Sequence, residues 1–406
     1  MSGREGTLLR ALFLARFSPL DSRLCHQREC YPLAMAPPPG TTRREIELDF
    51  IRGIAILMVL IFHYRPHNLL ITSPVLNRIE GFGWTGVDVF FVLSGFLVGG
   101  LLMKEWQRTG SVDSARFLKR RAFKIWPGYY AFLLVATLFH VRPLSSFFWQ
   151  NLLNIQNYIP SSLAHTWSLA VEEQFYLSLA ALLALWTARH WKPSTLLTTC
   201  ITLALCIEAL RAILSAHGQP VYFYTHTRLD GLLLGVALAA VHTFWPEWFH
   251  KLQQQRLLLL AIVAIGLWRL YVDRDAYPEP DALTSPFLIT FVDYAAAALL
   301  LLLYRRKPTH SSPYRLIARI GIYSYGIYLW HVSVERPVNW AVDHVPHSLA
   351  AATSTLLPYI LAIPLGILAT KLIEFPFLRL RQRVVPSRTP EPQIPEPQST
   401  AQIPVS

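Results

Sequence analysis

Ten apolar runs of helix-compatible length recur along this chain, at roughly 48–64, 84–103, 126–143, 171–189, 195–214, 228–246, 256–272, 286–304, 321–337 and 352–373. A bilayer core of about 30 Å is crossed by a helix of roughly 20 mostly apolar residues. The pattern therefore predicts an all-α polytopic membrane protein, a bundle of about ten transmembrane helices. Composition agrees, since 53% of the 406 residues are hydrophobic and only 15% are charged. A soluble domain carries about a quarter charged residues. Twelve Trp, 17 Tyr and 22 Phe suit a chain whose rings gather at membrane interfaces and line pockets within a bundle.

A net charge of +12 raises the question of nucleic acid, but the distribution of Lys and Arg answers it. Lys104, Arg108, Arg116, Lys119, Arg120, Arg121 and Lys124 crowd between the second and third runs, which marks that loop as cytoplasmic. Alternate loops are basic too, with Arg189 and Lys192, Lys251 and Arg256, Arg305 to Lys307 with Arg315 and Arg319, and Arg379, Arg381 and Arg383. Segments 144–166, 215–227 and 340–350 hold no Lys or Arg, and 273–284 is acidic on balance. Arg65 and Arg78 in the first outer loop fit less well. On this pattern both termini face the cytoplasm and no nucleic-acid partner is expected.

Residues 1–44 form an N-terminal extension too short and too charged to span, and Met35 is the expected biological start. Residues 45–382 carry the membrane domain, and 383–406 form a Pro-rich tail that cannot bury a core. The aromatic and amide-rich stretch 144–160 is expected to lie along the outer interface or to fold back into the bundle. Cys25, Cys30, Cys200 and Cys206 form no paired or metal-ligating pattern, and no metal is expected.

Several spans carry groups that lipid disfavours. Arg52 and His63 stand eleven residues apart on the first run, nearly on one face and about 16 Å apart in rise. Arg52 should face the bundle interior, although a long side chain could also snorkel to the headgroups. Gly86-Val-Asp88-Val-Phe-Phe-Val-Leu-Ser94-Gly opens the second run, where Asp88 could be a buried acid or the partner of an Arg, and Ser94 could serve packing alone. In Trp167-Ser-Leu-Ala-Val-Glu172-Glu173-Gln-Phe-Tyr176 the adjacent carboxylates point about 100° apart, so one can reach the interior and the other the interface. Glu172 and Tyr176 share a face. Arg228-Leu-Asp230, Tyr325-Gly-Ile-Tyr328-Leu-Trp-His331 and Glu374-Phe-Pro376 add further candidates, each of which could be an internal salt bridge or anchor.

Taken in order, these segments resemble the acyltransferase-3 family, membrane acyltransferases that modify surface polysaccharides, lipids and some antibiotics. The resemblance covers roughly residues 45–382 and includes the basic Phe117-Leu-Lys-Arg-Arg121-Ala-Phe-Lys124-Ile-Trp-Pro127, where Lys124 stands in place of the more usual Arg. It implies transfer of an acyl group, often acetyl, from cytoplasmic acyl-coenzyme A as donor co-substrate to a hydroxyl of an extracytoplasmic glycan or glycolipid, at a bacterial inner membrane. Arg52 and His63 would be its catalytic pair. In place of the extra span and hydrolase-like domain of some members, a stand-alone transferase or one working with a separate extracytoplasmic partner is expected.

The expected division of labour follows. Arg52, Arg121 and Lys124 hold the donor's phosphates, His63 is the general base, and Glu172 or Glu173 orients His63 or the acceptor. Asp88, Ser94, Trp167, Tyr176, Arg228, Asp230 and His331 serve substrate or structure. Arg52 and His63 should share one cavity open to both sides of the bilayer. The rival class is a transporter or flippase for a lipid-linked sugar, with Arg52, His63, Glu172 and Asp230 lining its path.

Overall fold

The structure, a computed structural model, describes residues 45–64, 81–139, 142–272, 286–305 and 311–386. The expectations for the extension 1–44, Met35, Arg65, Arg78, the acidic stretch 273–284, Lys307 and the tail beyond 386 lie outside them. Among the described residues there is no strand. The helices are α1 (Ile46–His63), α2 (Gly86–Thr109), α3 (Ser114–Leu138), the short α4 (Phe148–Leu152), α5 (Trp167–Ala188), α6 (Pro193–Ala216), α7 (Thr225–Phe244), α8 (Pro246–Gln254), α9 (Arg256–Val272), α10 (Pro286–Leu303), α11 (Ser312–Ile322), α12 (Ser324–Trp330), α13 (Glu335–His344), α14 (His347–Ala369) and α15 (Phe375–Val384).

Five helical segments among the described residues are long and apolar enough to cross a membrane, or six if α8 and α9, bent by 69°, count as one span. Four expected spans fall outside that set for identifiable reasons. Helix α1 carries Glu47, Asp49 and Arg52, α3 begins with a run of Lys and Arg, and α10 is short. The ninth, expected as one helix over 321–337, is instead broken into α11, α12, a 3₁₀ turn His331–Val334 and α13.

The expected basic loop between the second and third spans is also corrected. Gly110, at φ 75°, closes α2 in the left-handed region that glycine enters at no steric cost, and its N–H bonds to Trp106 O at 2.8 Å. Asp113 then accepts from the Arg116 N–H at 3.0 Å and starts α3. A four-residue turn therefore suffices, and Arg116, Lys119, Arg120, Arg121 and Lys124 ride on the first turns of α3. That helical placement is what lets Arg121 and Lys124 point into the bundle.

Among the described residues, helices α2 and α7 make the most extensive contact. A Cβ built on Gly95 would lie 2.0 Å from Leu232 O, and one on Gly235 would lie 2.2 Å from Val92 O, so the two backbones touch where side chains would hold them apart. The small residues of the second span do the packing work expected of them. Helices α1 and α11 meet the same way, with Gly321 against Asp49 O and Gly53 against Ile317 O. The stretch 144–160 takes the second of its two expected courses and folds back into the bundle, since Phe147, Asn151, Gln156 and Asn157 are all buried.

Candidate functional site

A cavity of about 140 Å³ lies among α1, α2, α3, α5, α11, α12 and the π-helical turn Thr370–Glu374. Its lining joins three cations, Arg52, Arg121 and Lys124, to two carboxylates, Glu172 and Glu374. Apolar walls come from Val87, Phe90, Leu97 and Leu169, and hydroxyls from Ser94, Ser168, Tyr176 and Tyr328. The bundle interior thus gathers Arg52, Ser94, Arg121, Lys124, Glu172 and Tyr176 in one place, although they come from four helices spread over 125 positions of the sequence.

Local contacts hold each group. The Arg52 guanidinium reaches Asp49 one turn earlier at 3.2 Å, which keeps a cation in the first span while its head lines the cavity. Ser94 donates to Glu172 Oε1 at 2.7 Å, so Ser94 has a polar task beyond packing. The Arg121 guanidinium lies 4.7 Å from the centre of the Tyr176 ring, a cation–π distance. Thr370 donates to Glu374 Oε1 at 2.9 Å, within a π turn of the kind often found at functional sites. Glu173 is half-buried, does not line the cavity, and accepts from Trp126 Nε1 at 3.2 Å.

Arg52 and His63 are expected to share one cavity, and of the two only Arg52 lines the cavity described above. His63 is absent from the cavity lining and is exposed at the far end of α1. Between them, Tyr328 donates to His165 O at 2.5 Å and its hydroxyl meets Ser168 Oγ at 2.6 Å. Tyr328 thus lines the cavity and at the same time holds the segment that carries His165. Among the described residues neither Glu172 nor Glu173 hydrogen-bonds His63: Ser94 donates to Glu172 Oε1 and Trp126 to Glu173 Oε2. Backbone does that instead: the His63 Nδ1–H donates to Val59 O at 3.0 Å, which in the neutral ring leaves the basic lone pair on Nε2.

His63 belongs to a cluster that sequence reasoning saw only in part. The His63 and His331 rings lie 4.6 Å apart and the His165 and His331 rings 5.3 Å apart, both edge to face. His331 is fully buried, donates from Nδ1 to Tyr328 O at 2.6 Å, and has no hydrogen-bond partner for Nε2 among the described residues. Tyr64 donates to His331 O at 2.6 Å and fixes the 3₁₀ turn that interrupts the ninth span. That break is therefore what brings His331 beneath His63. His165 escaped notice as a site residue because it precedes its helix in a polar segment, and only the fold-back of 144–166 buries it.

Asp88, Arg228 and Asp230 do not line the cavity. Asp88 forms a buried ion pair with Arg228, whose guanidinium lies 4.8 Å from the Tyr222 ring centre and 5.5 Å from that of Trp167. Trp167 is thus a brace for Arg228. Asp230 accepts from Arg211 at 2.5 Å, and Arg211 also donates to Thr227 O and to Thr290 Oγ1, both at 2.7 Å. These are the internal salt bridges that the sequence left open as one alternative. Arg211 and Asp293, both buried, were missed, yet Asp293 is the one charge in its apolar run and Arg211 shares its run only with Glu208, so both were visible.

A family model described as an acyltransferase domain matches residues 45–375. The chain belongs to the acyltransferase-3 family. It is 29% identical over 334 residues to the peptidoglycan O-acetyltransferase OatA of Listeria monocytogenes, a match covering 72% of this chain and 50% of that protein. It is 28% identical over 328 residues to the O-acetyltransferase OatA of Staphylococcus aureus, covering 72% of this chain and 51% of that protein. The chain spans about half the length of the curated relatives it matches. No solved structure matches it significantly.

Proposed function

We propose that this chain is a multi-pass O-acetyltransferase of a bacterial inner membrane, with both termini in the cytoplasm, that moves an acetyl group from cytoplasmic acetyl-coenzyme A to a hydroxyl of an extracytoplasmic glycan or glycolipid. The observation that carries this reading is the separation of two chemistries along α1. A cavity lined by Arg52, Arg121 and Lys124 takes in the start of α1, the histidines His63, His165 and His331 cluster at its end, and Tyr328 touches both. The relatives' names support a glycan of the peptidoglycan class as acceptor.

The three cations hold the donor's phosphates at the cytoplasmic end, where a partly buried site strengthens each charge–charge contact relative to water. Its pantetheine arm lies along the apolar wall of Val87, Phe90 and Leu169 and carries the thioester to the Tyr328–Ser168 pair. His63 takes the proton of the incoming hydroxyl on Nε2, the hydroxyl oxygen attacks the thioester carbonyl, and the C–S bond breaks. The departing thiolate collects the proton from the imidazolium, so that coenzyme A leaves as the free thiol and the acceptor as its acetyl ester. General base assistance of this kind contributes about 10²- to 10⁴-fold.

Reconstituted protein given labelled acetyl-coenzyme A should pass label into a peptidoglycan-fragment or glycolipid fraction. His63→Ala should abolish that transfer while leaving the protein inserted and folded, and normal acetylation by this variant refutes the assignment. Movement of a lipid-linked sugar across the bilayer with no label incorporated would instead establish the transporter reading.

A further inference from the structure

At the end of the molecule that carries His63, three rings converge from two separate segments. Tyr158 comes from the fold-back stretch, and Tyr224 and His226 come from the start of α7. The Tyr224 and His226 rings lie 5.5 Å apart with planes 19° from parallel, and the Tyr158 and His226 rings lie 5.8 Å apart at 20°. Tyr158 and Tyr224 are 5.5 Å apart, and the Tyr158 hydroxyl reaches His226 Nδ1 at 3.1 Å. Tyr158 is 44% exposed and His226 is exposed as well, so the set is open to the surroundings.

The rings stand on a rigid base. Asn157 Nδ2 donates to Thr225 Oγ1 at 2.7 Å, Thr225 Oγ1 donates to Gln174 Oε1 at 2.5 Å, and Gln174 Nε2 donates back to Asn157 Oδ1 at 3.0 Å. This closed circuit ties the fold-back stretch, α5 and α7 together beneath the rings. It leads on to the histidines, because the adjacent Gln156 donates to Thr166 O at 2.9 Å, next to His165, and His165 lies against His331.

We propose that Tyr158, Tyr224 and His226 form a platform on which a neutral sugar ring of the acceptor stacks before its hydroxyl reaches the histidines. The proposal rests on the O-acetyltransferase reading for the nature of the acceptor. These aromatic faces, near-parallel at His226 and tilted by 36° between Tyr158 and Tyr224, with a hydroxyl and a ring nitrogen at their edge, offer apolar contact to the C–H face of a pyranose and hydrogen bonds to its hydroxyls. Charge argues against an anionic headgroup as occupant, since segments 144–166 and 215–227 contain no Lys or Arg. Interfacial aromatic residues that only anchor a protein in lipid do not need to converge on one spot above a hydrogen-bonded base.

The test uses full-length protein in nanodiscs, with a chitotetraose probe for binding and label transfer from acetyl-coenzyme A to peptidoglycan fragments for activity. Tyr158→Leu keeps bulk but removes the ring, and Tyr158→Phe keeps the ring. We expect Tyr158→Leu to weaken chitotetraose binding and to raise the acceptor KM about five- to tenfold, the equivalent of one aromatic contact of ~1 kcal/mol, with kcat and the donor KM unchanged. Tyr158→Phe should restore most of the loss. Unchanged acceptor KM and chitotetraose binding in Tyr158→Leu and His226→Ala overturns the platform while transfer by the wild-type protein upholds the enzyme reading. Loss of bilayer insertion or thermal stability with an unchanged acceptor KM assigns the rings to lipid anchoring and likewise overturns it. Chitotetraose binding by wild-type protein that transfers no label would sink the O-acetyltransferase reading alone.

Discussion

Replacing Asp88 by Ala strands Arg228, and the structure sets the size of the effect. Both side chains of the pair are only 1% exposed. Among the described residues Arg228 Nε and Nη1 already have no hydrogen-bond partner, so loss of Asp88 leaves the guanidinium with aromatic faces and the more distant carboxylates Asp293 and Asp230 as compensation. Breaking a buried pair in this way costs about 3–5 kcal/mol, because the remaining charge can neither hydrate nor neutralise itself. Asp230→Ala makes a contrast within the same protein, since Arg211 would retain the Thr227 carbonyl and the Thr290 hydroxyl. Its cost should be nearer ~2 kcal/mol, that of one charged hydrogen bond. The double variant Asp88→Leu with Arg228→Met should recover most of the stability, because the native pair is only partly satisfied and an apolar pair of similar volume needs no satisfying. Reversible unfolding in mixed micelles, run as a double-mutant cycle, measures all three. An Asp88→Ala cost below ~1 kcal/mol, or one smaller than that of Asp230→Ala, refutes the reasoning.

Three further outcomes are expected. Gly95→Val should prevent folding, since even its Cβ would lie 2.0 Å from Leu232 O, and fluorescence-detected size exclusion should show aggregate in place of a monodisperse peak. Lys124→Ala should raise the KM for acetyl-coenzyme A about tenfold, a loss of ~1.4 kcal/mol in phosphate binding, with much less change in kcat, as read from steady-state label transfer. Ser94→Ala removes the donor 2.7 Å from Glu172 Oε1 and should lower kcat/KM about tenfold, a charged hydrogen bond being worth ~1.5–3 kcal/mol. A Ser94→Ala enzyme with wild-type kcat/KM would show that Glu172 needs no fixed orientation.

How much was legible in the sequence depended on the range of the interaction involved. Helix content, the small-residue seam of α2 and the different directions of Glu172 and Glu173 follow from local periodicity, and so they were visible in single segments. The same local logic placed Arg52 and His63 on one stripe of α1. Which of them lines the cavity depends on contacts between distant segments, such as that of Tyr328 with Ser168, 160 residues apart in the chain. Asp293 could have been found from its isolation in an apolar run, whereas nothing near His165 marked it for burial.

The sequence by itself determined that the chain is helical, apolar enough for lipid and basic at alternate turns, because hydropathy, glycine placement and capping act over a few residues. Only the tertiary structure decided that Arg121 and Lys124 face Arg52, that a helix break carries His331 beneath His63, and that Asp88 and Asp230 neutralise arginines in place of lining the cavity. Those outcomes depend on which helices touch. In a bundle, the partner of a buried charge is fixed by close backbone approach between segments far apart in sequence, here α2 against α7 and α1 against α11.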